Sequence, residues 1–196
     1  MEILHTVFSP TRLVTSADLP ALRRLCDQCV GTGLYSETDL QELLARPDGV
    51  CVVQEDGEGQ LAGYCLGFLT SAAEAADIIK QSAADISLWA KTPQPVVGIC
   101  KSLGVDEGHR GRGLALELQG YCAEAMLSRG ADLLFGVAWR QGTSIPVAQT
   151  LLALGFTYLC DSQHVWYDAA GLDCPVCKQP RCVCPAAIFV KRSGNL

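Results

Sequence analysis

Gly108-His109-Arg110-Gly111-Arg112-Gly113 places three glycines and two arginines within six residues, after an apolar run ending at Val105 and before a helical stretch opening at Leu114. Glycines lack a Cβ, so successive backbone N–H groups can converge on one point, and a helix N-terminus adds partial positive charge there. Such a nest suits phosphate oxygens, with Arg110 and Arg112 supplying charge-assisted hydrogen bonds. No Gly-Lys-Ser/Thr ends it, so it is not a P-loop, and the G-x-G-x-x-G dinucleotide spacing is absent. The chemistry on offer is capture of a phosphorylated cofactor.

The elements that must position this loop are legible on both sides. An apolar strand is expected over residues 96–105. A helix follows the loop, with Leu114, Leu118, Cys122, Ala125 and Met126 at helical spacing and Gly130 as its stop. A strand follows over 131–139, then a helix over 143–154 with Ser144 as cap and Pro146 in its first turn, and Gly155-Phe156 opens the next strand. Upstream, a helix over 16–30 is capped by Ser16 or Asp18, carries Pro20 in its first turn, and ends at Gly31 and Gly33. A second helix starts at Ser36, has Asp39 three residues on, and stops at Pro47. Residues 49–54 and 60–70 read as a β-hairpin, and 71–92 as an Ala-rich helical segment closed by Pro93 and Pro95. The closing strand is expected at 187–192.

Between that strand and helix, Arg110-x-x-Gly113-x-Ala115 with Val105 five residues upstream resembles the acetyl-CoA pyrophosphate loop of the GNAT superfamily of N-acetyltransferases. Leu154-Gly155-Phe156 is similar to the family's habitual ending of its last helix, and the resemblance spans about residues 10–167. It implies an α/β fold, a mixed and mostly antiparallel sheet flanked by helices, over a single domain of residues 1–196. It implies acetyl-CoA as cosubstrate, bound by the backbone of Leu103, Gly104 and Val105 and by Arg110, Gly111, Arg112, Gly113, Leu114 and Ala115, with Ser144 against the CoA arm. The activity implied is direct transfer of the acetyl group to a primary amine, with no covalent enzyme intermediate.

Two departures from the family concern catalysis. Many members carry a tyrosine four residues before the Gly-Phe pair, where this chain has Leu151, and many place a carboxylate on one of two central strands, whereas 96–103 and 133–139 contain none. Tyr158, His164, Tyr167 and Asp168 are then the candidates, with Tyr167 the first choice because Trp166-Tyr167 resembles an aromatic-Tyr pair in members that acetylate protein N-termini. Its plain structural alternative is a strand tyrosine packed under the neighbouring loop. Water and a low-pKa amine, with no dedicated base, are fully compatible with the sequence. An alternative function in another class stays open: a catalytically silent acyl-CoA-binding domain that engages a protein partner.

Cysteines carry the second chemical pattern. Cys174, Cys177, Cys182 and Cys184 fall within eleven residues as C-x2-C-x4-C-x-C, in a segment set at 171–186 just before the closing strand. Cys-Pro-x-Cys resembles a zinc knuckle, and four thiolates suit a tetrahedral structural zinc, against the alternatives of a disulfide pair or unliganded thiols. Lys178 and Arg181 are placed to offset the site's negative charge. Cys26 and Cys29 lie on the apolar stripe of the first helix and read as core, as do Cys51, Cys65, Cys100, Cys122 and Cys160.

With 49% apolar and 18% charged residues the chain is that of a globular domain. Residues 1–170 hold 11 basic against 20 acidic side chains, and an acidic body disfavours nucleic acid. No apolar run approaches the roughly 18–20 residues of a membrane span. The first five residues lack the pattern of a secretory signal, and the odd, scattered cysteines suit a reducing compartment, so a cytoplasmic location is expected. The partners expected are acetyl-CoA and an amine acceptor, with a homodimer left open. Residues 31–37 and 72–91 are expected to wall the acceptor pocket.

Overall fold

A computed structural model describes residues 8–169 and 171–194, so the stretch read for a leader lies outside it. β1 (Arg12–Leu13) leads through a short 3-10 turn into α1 (Leu19–Val30), which buries Leu22, Leu25 and Cys26 on one face. α2 (Glu37–Ala45) opens with the capping box read from the sequence. Asp39 N–H donates to Ser36 Oγ at 3.1 Å, and Asp39 Oδ2 accepts from Ser36 N–H at 2.7 Å. β2 (Gly49–Glu55) and β3 (Leu61–Ser71) form the expected hairpin around Asp56, whose carboxylate accepts from the Glu58 and Gln60 N–H groups at 2.9 Å.

The Ala-rich segment is two helices, α3 (Ala72–Ile79) and α4 (Ala83–Ala90). Lys80 adopts a left-handed conformation at φ 53° and breaks the run, and Ser82 caps the second helix anew. β4 (Val96–Val105) feeds the glycine-rich loop, α5 (Leu114–Ser128) follows it, and β5 (Leu133–Trp139) returns through the sheet. α6 (Ala148–Ala153), β6 (Thr157–Ser162) and β7 (Ala186–Arg192) complete the order.

The strands make one sheet in the order β1-β2-β3-β4-β5-β7-β6, antiparallel throughout except between β4 and β5. One core lies under α1 to α4 and a second under α5 and α6. Two irregularities fall at the same level of β4. Its parallel pairing with β5 runs from Val97↔Leu133 to Cys100↔Gly136 and ends there, although both strands continue. On its other edge, Cys100 pairs with Gly67 and Ser102 with Leu66, so Lys101 is an extra residue and the strand bulges. The sheet opens where β4 bends away from β5.

Candidate active site

A cavity of about 820 Å³, open solvent included, fills the gap between the parted strands. Cys100, Lys101, Ser102 and Leu103 line it from β4, and Gly136, Val137, Ala138 and Trp139 from β5. One end is walled by Gln119 and Leu151, the other by Cys29, Val30, Leu34, Trp166 and Leu172. Leu103, Pro146 and Val147 also line a second groove, which continues along the glycine-rich loop past Val105, Arg110, Gly111, Gly113, Leu114 and Ala115. An elongated ligand held by the loop therefore has a continuous path into the sheet.

The loop's geometry is fixed from below. Asp106 Oδ1 accepts from Gly108 N–H at 3.0 Å and meets His109 Nδ1 at 2.9 Å, while Arg110 Nε donates to the Val105 carbonyl at 3.1 Å. His109 Nε2 also lies 3.5 Å from Asp56, tying the loop to the β2–β3 hairpin. Gly113 caps α5 in the left-handed region at φ 89°, and a Cβ built there would meet nothing within 4 Å, so the space above it is open. The first intrahelical bonds of this 15-residue helix run from the Leu116 and Glu117 N–H groups to the Gly113 carbonyl at 3.0 and 3.2 Å, which leaves the N–H groups of Leu114 and Ala115 at the helix start as a cradle for anionic oxygens.

Polar groups gather around the bulge. Ser102 Oγ lies 3.1 Å from the Tyr64 hydroxyl and also neighbours that of Tyr35; burial pushes both phenols above their ordinary pKa and keeps them protonated. Gln119 is buried, its amide nitrogen has no hydrogen-bond partner, and the residue lines the cavity. Cys29, read as core, is half-buried and lines the cavity, with its thiol donating to the Val105 carbonyl at 3.5 Å. These residues escaped the sequence reading, yet a signal existed. Lys101-Ser102 interrupts an otherwise apolar central strand with two consecutive polar residues, which a regular period-2 strand would send to opposite faces.

Of the residues expected to bind the cofactor, Leu103, Val105, Arg110, Gly111, Gly113, Leu114 and Ala115 come together along the groove. Gly104 is buried in β4 opposite Tyr64, and Arg112 is exposed. Ser144 is not brought to the groove. Pro146 biases Ile145 towards extended backbone, so the helix starts only at Ala148, and Ser144 instead closes a turn with Gln141 through bonds of 2.8 and 3.0 Å. Thr150 takes the polar place in the groove.

Tyr167 also lies away from the cavity. A positive φ at His164 turns the chain so that Trp166 lines the cavity while Tyr167 is partly exposed, edge-on to His164 and under the Arg181 guanidinium at 5.0 Å. Tyr158 and Asp168 are exposed. Of the expected acceptor walls, 31–37 contributes Leu34, but no residue of 72–91 lines the cavity, because α3 and α4 cover the sheet through Ile79 and Ile86.

Beside the cavity the four cysteines converge. Their Sγ atoms all lie within 4.8 Å of one another, with Cys174 3.6 Å from Cys182 and 3.8 Å from Cys184. A tetrahedron with Zn–S bonds of roughly 2.3 Å has edges of about 3.8 Å, so the donor set fits that ion. Cys177 N–H donates to Cys174 Sγ at 3.4 Å, and N–H groups of Gln179 and Val183 lower the Cys177 thiol to about 6. The loop packs on the cavity wall through Leu172, Leu34, Trp139 and Trp166.

A mixed sheet opened between two parallel strands, with a phosphate cradle at the helix that follows, defines an acyl-CoA-binding transferase fold. The chain belongs to the acetyltransferase (GNAT) family, whose model matches residues 19–147. No curated protein sequence matches it. Among solved structures, Arabidopsis thaliana NAA60 in complex with acetyl-CoA superposes with a TM-score of 0.69 at 15% identity, over 95% of this chain and 99% of that one. Chaetomium thermophilum Naa20 in complex with a bisubstrate analogue gives 0.66 at 17% identity, over 94% and 86%. Drosophila melanogaster polyamine N-acetyltransferase gives 0.63 at 19% identity, over 95% and 100%.

Proposed function

We propose that this chain is an acetyl-CoA-dependent N-acetyltransferase that passes the acetyl group directly to a primary amine at the opening between β4 and β5. The observation carrying this reading is the continuity of the two cavities through Leu103, Pro146 and Val147. Phosphates held by the Gly111 to Ala115 cradle leave the thioester arm to run between the parted strands, where β4 beyond Cys100 no longer pairs with β5 and its backbone can orient the carbonyl. Family membership and the acetyl-CoA bound by NAA60 support the same cosubstrate.

The amine enters from the opposite end, past Val30, Leu34 and Leu172. Its nitrogen forms the new C–N bond as the C–S bond breaks, and the proton it loses balances the one the departing thiolate needs. An α-amine has a pKa of roughly 8, so a useful neutral fraction exists near pH 7 without a strong base. Ser102, backed by Tyr64 and Tyr35, holds and relays that proton through its hydroxyl. Thiol release from acetyl-CoA, measured with amino-acid, peptide and polyamine acceptors, tests the reading. Tight acetyl-CoA binding with no release on any acceptor would favour the silent binding domain instead.

We further propose that Cys174, Cys177, Cys182 and Cys184 hold one structural zinc. Four protein thiolates complete a tetrahedron and leave no position for a catalytic water. The ion's role is to fix the 171–186 segment against the cavity wall.

A further inference from the structure

We propose that the acceptor is an apolar primary amine bearing a carboxylate, and that Lys101 is the residue that selects it; this rests on the transferase reading above. Among the described residues lining the cavity, Lys101 is the single charged side chain. It is the extra residue of the β4 bulge and is exposed, with its ammonium 5.7 Å from the ring centre of Tyr35 in the loop between α1 and α2. That is the end away from the phosphate cradle, where the amine must enter.

The ammonium has no carboxylate within ion-pair distance among the described residues, and its nearest acidic neighbours are already engaged. Asp39 is held by the Ser36 N–H and hydroxyl at 2.7 and 2.6 Å, and Glu74 is bound by Arg46 and Thr70. Lys101 is solvent-exposed at the cavity mouth, so its ammonium is solvated and free to meet an incoming anion. A carboxylate on the acceptor would pair with it through a charge-assisted bond. A second cation on the acceptor would meet repulsion and no acidic wall, despite the acidic body of the chain. The remaining walls are apolar, from Val30, Leu34, Trp166 and Leu172.

The carboxylate could come from a free amino acid or from an acidic residue near a peptide N-terminus, and two arms separate these. One compares phenylalanine with 2-phenylethylamine; the other compares tetrapeptides starting Met-Glu, Met-Gln and Met-Lys. We expect kcat/KM at least ten-fold higher for the carboxylate-bearing member of one arm. Lys101→Gln is expected to shrink that ratio below about three-fold through KM, and Lys101→Glu to reverse it in favour of Met-Lys. Equal or better use of 2-phenylethylamine and Met-Lys by the wild-type protein would overturn the inference while leaving the transferase intact. A uniform loss of kcat on all acceptors in Lys101→Gln, with the same order, would also overturn it. Absence of turnover on every acceptor would remove the transferase reading and this inference together.

Discussion

Ser102 and Tyr64 share a 3.1 Å hydrogen bond between adjacent strands, one residue beyond the bulge at Lys101. The bulge turns β4 so that Ser102 lines the cavity while Tyr64 remains fully buried beneath it. If this pair carries the amine's proton, Ser102→Ala lowers kcat roughly 100-fold, the lower end of what a positioned proton acceptor contributes. Tyr64→Phe should lower it less, and neither should alter acetyl-CoA affinity. Because burial raises the Tyr64 phenol, kcat/KM should climb with acceptor deprotonation and show no fall as pH approaches 10. Steady-state kinetics across pH 6–10 check this, and an unchanged kcat in Ser102→Ala would remove Ser102 from the mechanism.

Gly113 tests the cradle. Any side chain there is strained by the left-handed backbone, at about 1–2 kcal/mol, which a domain stable by roughly 5–15 kcal/mol tolerates. Since a Cβ meets nothing within 4 Å, Gly113→Ala should cost stability but little affinity. Gly113→Glu adds a carboxylate where phosphate oxygens belong and should weaken CoA binding at least 100-fold in a folded protein. Calorimetry on the two variants separates strain from charge; equal affinities would refute the assignment.

The stretch from β4 to α5 was readable in the sequence because its strand period, glycine spacing and helix period all agree, and the loop landed as expected. Positions set by a turn were less readable. Ser144 looked like a cap because serine caps helices, but Pro146 delays the helix to Ala148. Tyr167 looked catalytic beside Trp166, yet the left-handed residue at His164 decides which of the two faces the cavity, and no local propensity announces a histidine at φ 63°. Cys29 sits on the same helical stripe as Cys26, and only the parting of β4 from β5 exposes one and not the other. The Ser102–Tyr64 pair depends on strand register, which the hydrophobic pattern sets by face but not by partner.

At the far edge of the sheet, Asp18 offers a pH test. Its carboxylate accepts two 2.8 Å bonds from Arg12 and one of 2.7 Å from Thr15 N–H, which hold its pKa well below the ordinary range. A folded pKa below the unfolded one of roughly 3.9 gives stability that is complete above that value and is lost as pH falls towards the folded value. Arg12 is partly exposed, so the ion pair is screened and contributes about 0.5–1 kcal/mol. Asp18→Asn keeps an acceptor for Thr15 but loses the charge. Urea unfolding should find the variant less stable by that amount at pH 7 and the gap smaller at pH 3. A gap that stays constant or widens in acid would contradict the ion pair's role.

The last prediction joins the cysteine loop to the acceptor. Asp173 N–H donates to the Thr32 carbonyl at 2.8 Å, and a Cβ on Gly33 would lie 2.2 Å from the Gly171 carbonyl, so the two loops touch backbone to backbone. Leu172, Leu34, Trp139 and Trp166 serve both the cavity wall and the core around the four sulfurs. A zinc that closes residues 174–184 therefore sets the acceptor end of the cavity, while the phosphate cradle lies on the other side of the opening. Native mass spectrometry should find one zinc per chain, lost in the Cys174→Ser/Cys177→Ser variant or on chelation. Either treatment should raise hydrogen exchange across 160–192 and the acceptor KM at least ten-fold, with acetyl-CoA affinity kept within about three-fold. A natively metal-free protein would remove the zinc. Unchanged acceptor KM after its removal would leave the ion in place but detach it from the site.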